Sequence, residues 1–222
     1  MPDDAVSEEL ASMLSTCTAR QWWAEQDEGP YHRDAQPARR DVVEDRQGVA
    51  LQLGIRVTDG RPGNGAPRAG ALVEIWQCDA LGRYSGFPPP DSSAVVTAEN
   101  APRVDYLPDQ TFLRGRQTTD DAGMVEFRTI YPGWYPGRTV HVHVMVHVDG
   151  VVFTSQLYFP DEVSDHVLAQ SPYAERPGRD TNNTTDEIFP TGGDASVVDI
   201  APVGTGYRAG VCLVLPTIAE GS

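Results

Sequence analysis

Two histidines two residues apart, His141 and His143, lie in a run that alternates with Val140, Val142, Val144 and Val146. Alternation at period two predicts a strand, so both imidazoles point to one face. Two residues of strand span about 6.6 Å, over which two imidazoles can converge on one metal ion. His147 shares the face by parity but lies about 13 Å from His143 along the strand, too far to join the same ion. Just upstream, Tyr131-Pro132-Gly133-Trp134-Tyr135-Pro136-Gly137-Arg138 brings Tyr135 and Arg138 into a glycine- and proline-rich loop. A lone His on a strand is more often a wet side chain. A His pair beside Tyr and Arg in such a loop reads as a site.

Histidine alone suits zinc, copper or ferrous iron. Tyrosine changes that preference. A phenol has a reference pKa of about 10 and ionises only beside a strong Lewis acid, such as Fe³⁺. Two phenolates and a hydroxide balance three positive charges, which leaves a nearly neutral site that can be buried. Two neutral imidazoles then complete five positions. The constellation Tyr84, Tyr135, His141 and His143, with Arg138 and Gln156 nearby, therefore predicts a non-haem Fe(III) centre, one per chain.

The elements that must position these residues follow from local pattern. Asp149-Gly150 is a two-residue hairpin turn between two alternating runs. Counting outward from it sets Val148 against Val151, His143 against Gln156 and His141 against Tyr158. Cross-strand partners share a face, so Gln156 and Tyr158 join the His pair. Val140, Val142, Val144, Val146, Phe153, Leu157 and Phe159 take the core face. Val49–Val57, Ala71–Gln77, Val125–Thr129 and a closing run from Tyr207 to Leu215 predict further strands. Tyr84 falls on a loop just past a strand end, where a surface aromatic and a functional residue are equally good readings. Trp134 reads as pocket wall or packing, with packing favoured.

Val6, Leu10, Met13 and Leu14 have helical spacing, with Ser7 available as a cap. A polar arm follows to about Gly48. Asp59–Gly70 is a loop, and Asp120-Asp121-Ala122-Gly123 a turn. Pro88–Leu113 is a long irregular segment of the kind that shapes a binding site. Asp161–Pro202 reads as loops with one short helix near Asp165–Ala169, where His166 is solvated. The fold predicted is mostly β: a β-sandwich with long irregular loops and a short N-terminal helix. Residues 1–47 form the helix and arm, and residues 48–222 the catalytic sandwich.

The net charge of −15 argues against phosphate-backbone binding and anionic membrane surfaces. No apolar run is long enough to span a bilayer. Cys17, Cys78 and Cys212 have no zinc-cluster spacing, although one bridge, Cys17 to Cys78 for instance, remains open. The start lacks a basic and then apolar leader, so the expected address is cytoplasmic, or extracellular if a signal peptide has been removed. The sequons at Asn182 and Asn183 matter only in the second case.

Four stretches resemble, in order, the motifs of the intradiol ring-cleavage dioxygenases. They are Glu28-Gly29-Pro30-Tyr31, Trp76-Gln77-Cys78-Asp79-Ala80-Leu81-Gly82-Arg83-Tyr84-Ser85-Gly86, Tyr131 to His143, and Ser155-Gln156-Leu157-Tyr158-Phe159. The short spacing from Tyr135 to His141 is similar to a compact branch found among extracellular members. The resemblance implies that Tyr84, Tyr135, His141 and His143 ligate Fe(III). It implies that Tyr135 is the ligand displaced by a catechol-type diol. Arg138 would stabilise anionic charge on the ring, and Gln156 would hydrogen-bond substrate. Gly29, Pro30 and Tyr31 would line the pocket. With O₂ the ring would open between the hydroxyl-bearing carbons to a cis,cis-muconate-type diacid. The partners implied are this small-molecule diol and O₂, with no nucleic acid and no membrane, and a homodimer is compatible. The N-terminal helical dimerisation region of the larger catechol enzymes has no counterpart here.

Two other functions compete. A transthyretin-like β-sandwich binding module would share the strand runs, but it has no use for the His pair or Tyr84. A zinc hydrolase built on His-x-His needs a third ligand and a general base, which the spacing does not place.

Overall fold

The computed structural model describes residues 5–17, 23–34, 36–87 and 109–216, so residues 88–108 of the long Pro88–Leu113 segment lie outside the described residues. Among the described residues, nine strands form two sheets. One contains β1 (Ala50–Asp59), β2 (Ala66–Pro67), β5 (Met124–Ile130), β8 (Asp199–Val203) and β9 (Gly206–Val214). There β1 pairs antiparallel with β5 and β2 and parallel with β9, and β8 is an edge beyond β9. The other sheet runs β4 (Arg114–Thr118), β3 (Leu72–Trp76), β6 (His141–Val148), β7 (Val151–Tyr158), all antiparallel.

The alternation read from the sequence dictates the core. Leu51, Leu53, Ile55 and Val57 of β1 meet Val73 and Ile75 of β3, and Val142, Val144 and Val146 of β6, in one buried cluster. Each such side chain removed from water contributes about 1.5–3 kcal/mol. The β6–β7 register is the one counted from the Asp149-Gly150 turn, with Val148 opposite Val151, His143 opposite Gln156 and His141 opposite Tyr158. Asp149 and Gly150 both adopt positive φ, as a two-residue hairpin turn requires.

Helix α1 (Glu8–Thr16) covers the outer face of the first sheet through Leu10 and Leu14, which pack on Met124. Gly54 and Gly210 are cross-strand partners there and leave the sheet bare under the helix. A Cβ at Gly54 would lie 2.7 Å from Leu10 Cγ, and one at Gly210 3.1 Å from Met13 Sδ. Ser7 is the N-cap, but its hydroxyl makes no cap; its backbone N–H donates to Glu126 Oε2 at 2.7 Å. At the far end of the helix Cys17 is bonded to Cys212 of β9, with Cα atoms 5.9 Å apart. The Cys17–Cys78 pairing is thereby replaced, because Cys78 is a free thiol buried on the other sheet.

Several expectations change. The arm before Gly48 is more than a polar loop: Trp23, Tyr31, Gln36 and Val42 are buried, and its backbone bridges Arg116 and Arg128. β4 carries no alternating apolar pattern and is defined by its ladder to β3. β8 contains Pro202, which an edge strand tolerates. The helix near Asp165 is α2 (Asp161–Leu168), which starts four residues earlier, directly after Pro160. His166 is exposed, on that helix and not in a loop.

Candidate metal centre

The outer face of the second sheet carries the predicted residues. His141 and His143 open β6, are fully buried and point away from the valine face. The Trp76 ring of β3 stacks on His143 at 4.9 Å and 3°. Against the same imidazole lies Gly29, with φ +72° and an absent Cβ that would come 3.2 Å from His143 Cε1. Only glycine meets both conditions without strain.

The two tyrosines arrive on loops that interlock. After β3 the chain folds back at Asp79, whose carboxylate accepts from Leu81 N (2.9 Å) and Arg83 N (3.0 Å). This brings Tyr84 inward to near-complete burial, so the surface-aromatic reading fails. In the second loop Gly133 presses on the first, where a Cβ would stand 2.5 Å from the Asp79 and Ala80 carbonyl oxygens. Trp134 packs, as favoured, with Nε1 donating to Arg176 O at 2.9 Å and the Arg176 guanidinium 4.7 Å over its ring. Tyr135 then turns inward beside Tyr84, with ring centroids 5.7 Å apart.

Four donor atoms converge. Tyr135 Oη is 3.2 Å from His141 Nε2, which is 3.1 Å from His143 Nε2, which is 3.1 Å from Tyr84 Oη. His141 donates Nδ1–H to the Thr139 carbonyl at 2.7 Å, which leaves the Nε2 lone pair facing the cluster. Bonds of about 2.1 Å from one ion set adjacent ligand atoms about 3 Å apart, which is the separation seen here. The donor set thus fits a metal ion, and its hard phenol oxygens fit one of high charge. His143 Nδ1 is buried with no hydrogen-bond partner among the described residues. Among the described residues no group of three or more His, Cys, Asp or Glu could hold a metal, so the third ligand of a zinc hydrolase is not found there.

Burial, then the nearby Arg138 charge, pulls His141 down to about 3. Burial and the facing His141 hold His143 well below the usual imidazole range. Both rings are therefore neutral donors. Burial pushes Tyr84 well above the ordinary phenol range, with Tyr135 adding to it. Tyr135 rises only to about 12, because Arg138 offsets part of the burial cost. A cation of high charge placed among the four atoms acts on both phenols in the opposite sense.

Arg138 reaches the site from one side. Its Nε donates to Asp186 Oδ2 at 2.9 Å and its Nη2 to Gln156 Oε1. The Asp186 end of this ion pair is fully buried and the Arg138 end largely so. Gln156 is held at both ends of its amide: Oε1 also accepts from Tyr158 Oη at 3.1 Å, and Nε2 donates one N–H to the Asp27 carbonyl at 3.0 Å. Tyr31 stacks on Tyr84 at 4.2 Å and 12° and meets Tyr135 edge-on at 6.1 Å. Gly29 and Tyr31 therefore cover the donors, with half-buried Pro30 between them. His147 stands apart, its Nε2 3.2 Å from Glu74 Oε1. Sequence reasoning missed Asp186, Thr139 and the Trp76 stack. Asp186 lies in Thr185-Asp186-Glu187, which has no pattern that ties it to a residue 48 positions upstream.

Comparison with known proteins follows the same residues. The profile of a family described as dioxygenase matches residues 27–177. The solved structure of an intradiol ring-cleavage dioxygenase from Tetranychus urticae superposes with a TM-score of 0.75 at 33% identity, covering 87% of this chain and 94% of that one. The protocatechuate 3,4-dioxygenase beta chain of Burkholderia cepacia is 36% identical over 118 residues, 49% of this chain and 43% of the relative. The chlorocatechol 1,2-dioxygenase of Rhodococcus opacus is 26% identical over 164 residues, 62% and 56% of the two chains. The chain thus spans about half the length of the curated relatives it matches.

Proposed function

Since this chain belongs to the intradiol ring-cleavage dioxygenase family, we propose that it cleaves a catechol-type ring between its two hydroxyl-bearing carbons. Both atoms of O₂ enter one cis,cis-muconate-type diacid, so the product is the substrate plus two oxygens with no fragment lost. The observation that carries this reading is the convergence of two phenol oxygens and two imidazole Nε2 atoms at 3.1–3.2 Å. Tyr84, Tyr135, His141 and His143 would hold one non-haem Fe(III). When bound, that ion supplies the Lewis acidity that keeps a diol deprotonated and prepares its ring for O₂.

The chain's own residues do the rest. Tyr135 Oη takes the proton of one substrate hydroxyl as the diol enters. It suits this role better than Tyr84, because the Arg138 charge eases its cycling between phenol and phenolate. Arg138 sets a fixed positive charge beside the ring, where negative charge develops. Gln156 Oε1 accepts from the guanidinium Nη2 and so helps to hold it. Gly29, Pro30 and Tyr31 roof the donors and exclude water. The Cys17–Cys212 bond supports an oxidising, extracellular address over the cytoplasmic one.

The test is oxygen uptake by iron-loaded protein against a panel of catechols, with mass spectrometry of the products. A muconate-type product carrying two added oxygens supports the proposal. A ring-opened semialdehyde, no uptake with any catechol, or a colourless protein with stoichiometric zinc overturns it.

A further inference from the structure

Asp186 has no part in the mechanism just given, yet its side chain accepts four hydrogen bonds beside the site. Its carboxylate is fully buried. Oδ2 accepts from Arg138 Nε at 2.9 Å and from Thr139 N at 2.8 Å. Oδ1 accepts from Ile188 N and Phe189 N, both at 2.8 Å. Four donors saturate it, so its charge is compensated and its position fixed. Burial alone would raise this carboxyl, but Arg138 and the backbone N–H groups outweigh it and hold it below the usual range.

Each partner leads toward the donor cluster. Arg138 runs on to Gln156, and Thr139 accepts the Nδ1–H of His141 through its carbonyl. The carboxylate therefore grips two consecutive residues, Arg138 and Thr139, on the path from Tyr135 to β6. Asp186 also lies outside residues 27–177, the part of the chain that matches the family profile. A free guanidinium on a long side chain samples many rotamers, and its charge is useful only at a fixed place.

We infer that Asp186 is the positioning residue for Arg138, locking the guanidinium through Nε so that its Nη edge faces the donor cluster. This rests on the dioxygenase reading for what Arg138 then does, but the locking itself does not. Among the described residues no hydrogen bond of Asp186 reaches a candidate ligand, so it acts through its neighbours.

The test is a double-mutant cycle of Asp186→Asn and Arg138→Ala, read in two ways. In iron-loaded protein, Asp186→Asn lowers kcat about 10- to 100-fold, the range for losing such an outer partner. KM changes less than about threefold, and the visible tyrosinate absorption stays in place. In the Arg138→Ala background the same change costs less than about threefold more. Fully multiplying effects would overturn the inference, as would equal losses in kcat and in the absorption band. The second readout is the urea midpoint of metal-free protein, where Asp186→Asn shifts the midpoint of wild type more than that of Arg138→Ala. Equal shifts overturn the locking even if no catechol is ever turned over, so failure of the dioxygenase reading remains separate. Should Asp186→Asn not fold, Arg138→Lys decides, because it keeps the charge but lacks Nε–H. It behaves like Arg138→Ala if locking matters, and full activity in Arg138→Lys refutes it.

Discussion

Replacing Gly29 by alanine probes how tightly the N-terminal arm roofs the donor cluster. Two costs arise, and they can be separated. The first is conformational: Gly29 has φ +72°, and an L-residue there costs about 1–2 kcal/mol. Reduced freedom of the unfolded chain returns about 0.4–1 kcal/mol. The net loss of about 1 kcal/mol lowers the melting temperature by about 2–4 °C for a chain of this size. The second cost is steric. The new Cβ would lie 3.2 Å from His143 Cε1, so one of the two must give by a few tenths of an ångström. The imidazole is backed by the parallel Trp76 ring at 4.9 Å, and the arm is held by Gln156 Nε2 on the Asp27 carbonyl and Arg114 Nη1 on the Tyr31 carbonyl. If a 1 Å misplacement costs about 100-fold in rate, a few tenths cost about three- to tenfold. Gly63 supplies the control, since it has φ +82° and nothing within 4 Å of the Cβ position. Gly63→Ala should lose similar thermal stability but keep its oxygen-uptake rate and visible spectrum. Gly29→Ala should lose both stability and rate, with a shifted absorption band. If the two variants match in rate and spectrum, the close approach to His143 has no functional meaning and the reasoning fails.

Three more expectations follow from the same geometry. His141 and His143 are held neutral, with folded values below those of the unfolded chain, so their contribution to stability is present above about pH 6.5 and is lost as pH falls toward the folded values. The unfolding free energy of metal-free protein, from urea titrations, should therefore fall as pH drops below 6.5 by up to about 1.4 kcal/mol per pH unit for each imidazole, and a His141→Asn, His143→Asn variant with an equal slope would contradict this. Gly54→Leu collides with Leu10, so overpacking should remove about 1–3 kcal/mol while kcat stays unchanged, because α1 lies on the sheet remote from the donors; a scanning-calorimetry melt identical to wild type would show that the helix is not seated there. Unfolded without reductant, the chain should expose one reactive thiol, Cys78, and three after reduction; three titrating without reductant would exclude the Cys17–Cys212 bond.

Local chemistry made part of this protein legible in its sequence. Valine alternation placed His141 and His143 on one face, because strand side chains repeat with period two. Asp149-Gly150 set the register, because a two-residue turn leaves no freedom in the count, and Gln156 and Tyr158 followed with it. Charge balance made Tyr84 and Tyr135 the natural companions of a histidine pair. The sandwich class and its core strands came from the same periodicity. By contrast, β4 escaped notice because Arg-Gly-Arg-Gln-Thr has no apolar rhythm and is a strand only through its ladder to β3. Which cysteines pair depends on where α1 lands, and that is decided by the bare Gly54–Gly210 patch across two strands. The loop position of Tyr84 by itself fits a surface aromatic equally well; its burial comes with the Asp79–Ala80 turn, on which the Gly133 loop presses. Gly29 was placed at the pocket by the family resemblance, but Asp186 reaches the site from a loop, and Trp76 from a strand, far away in the chain. Short-range pattern encodes neighbours on one strand or across one turn, but contacts between loops exist only after the sheets have stacked, and so tertiary structure alone decided them.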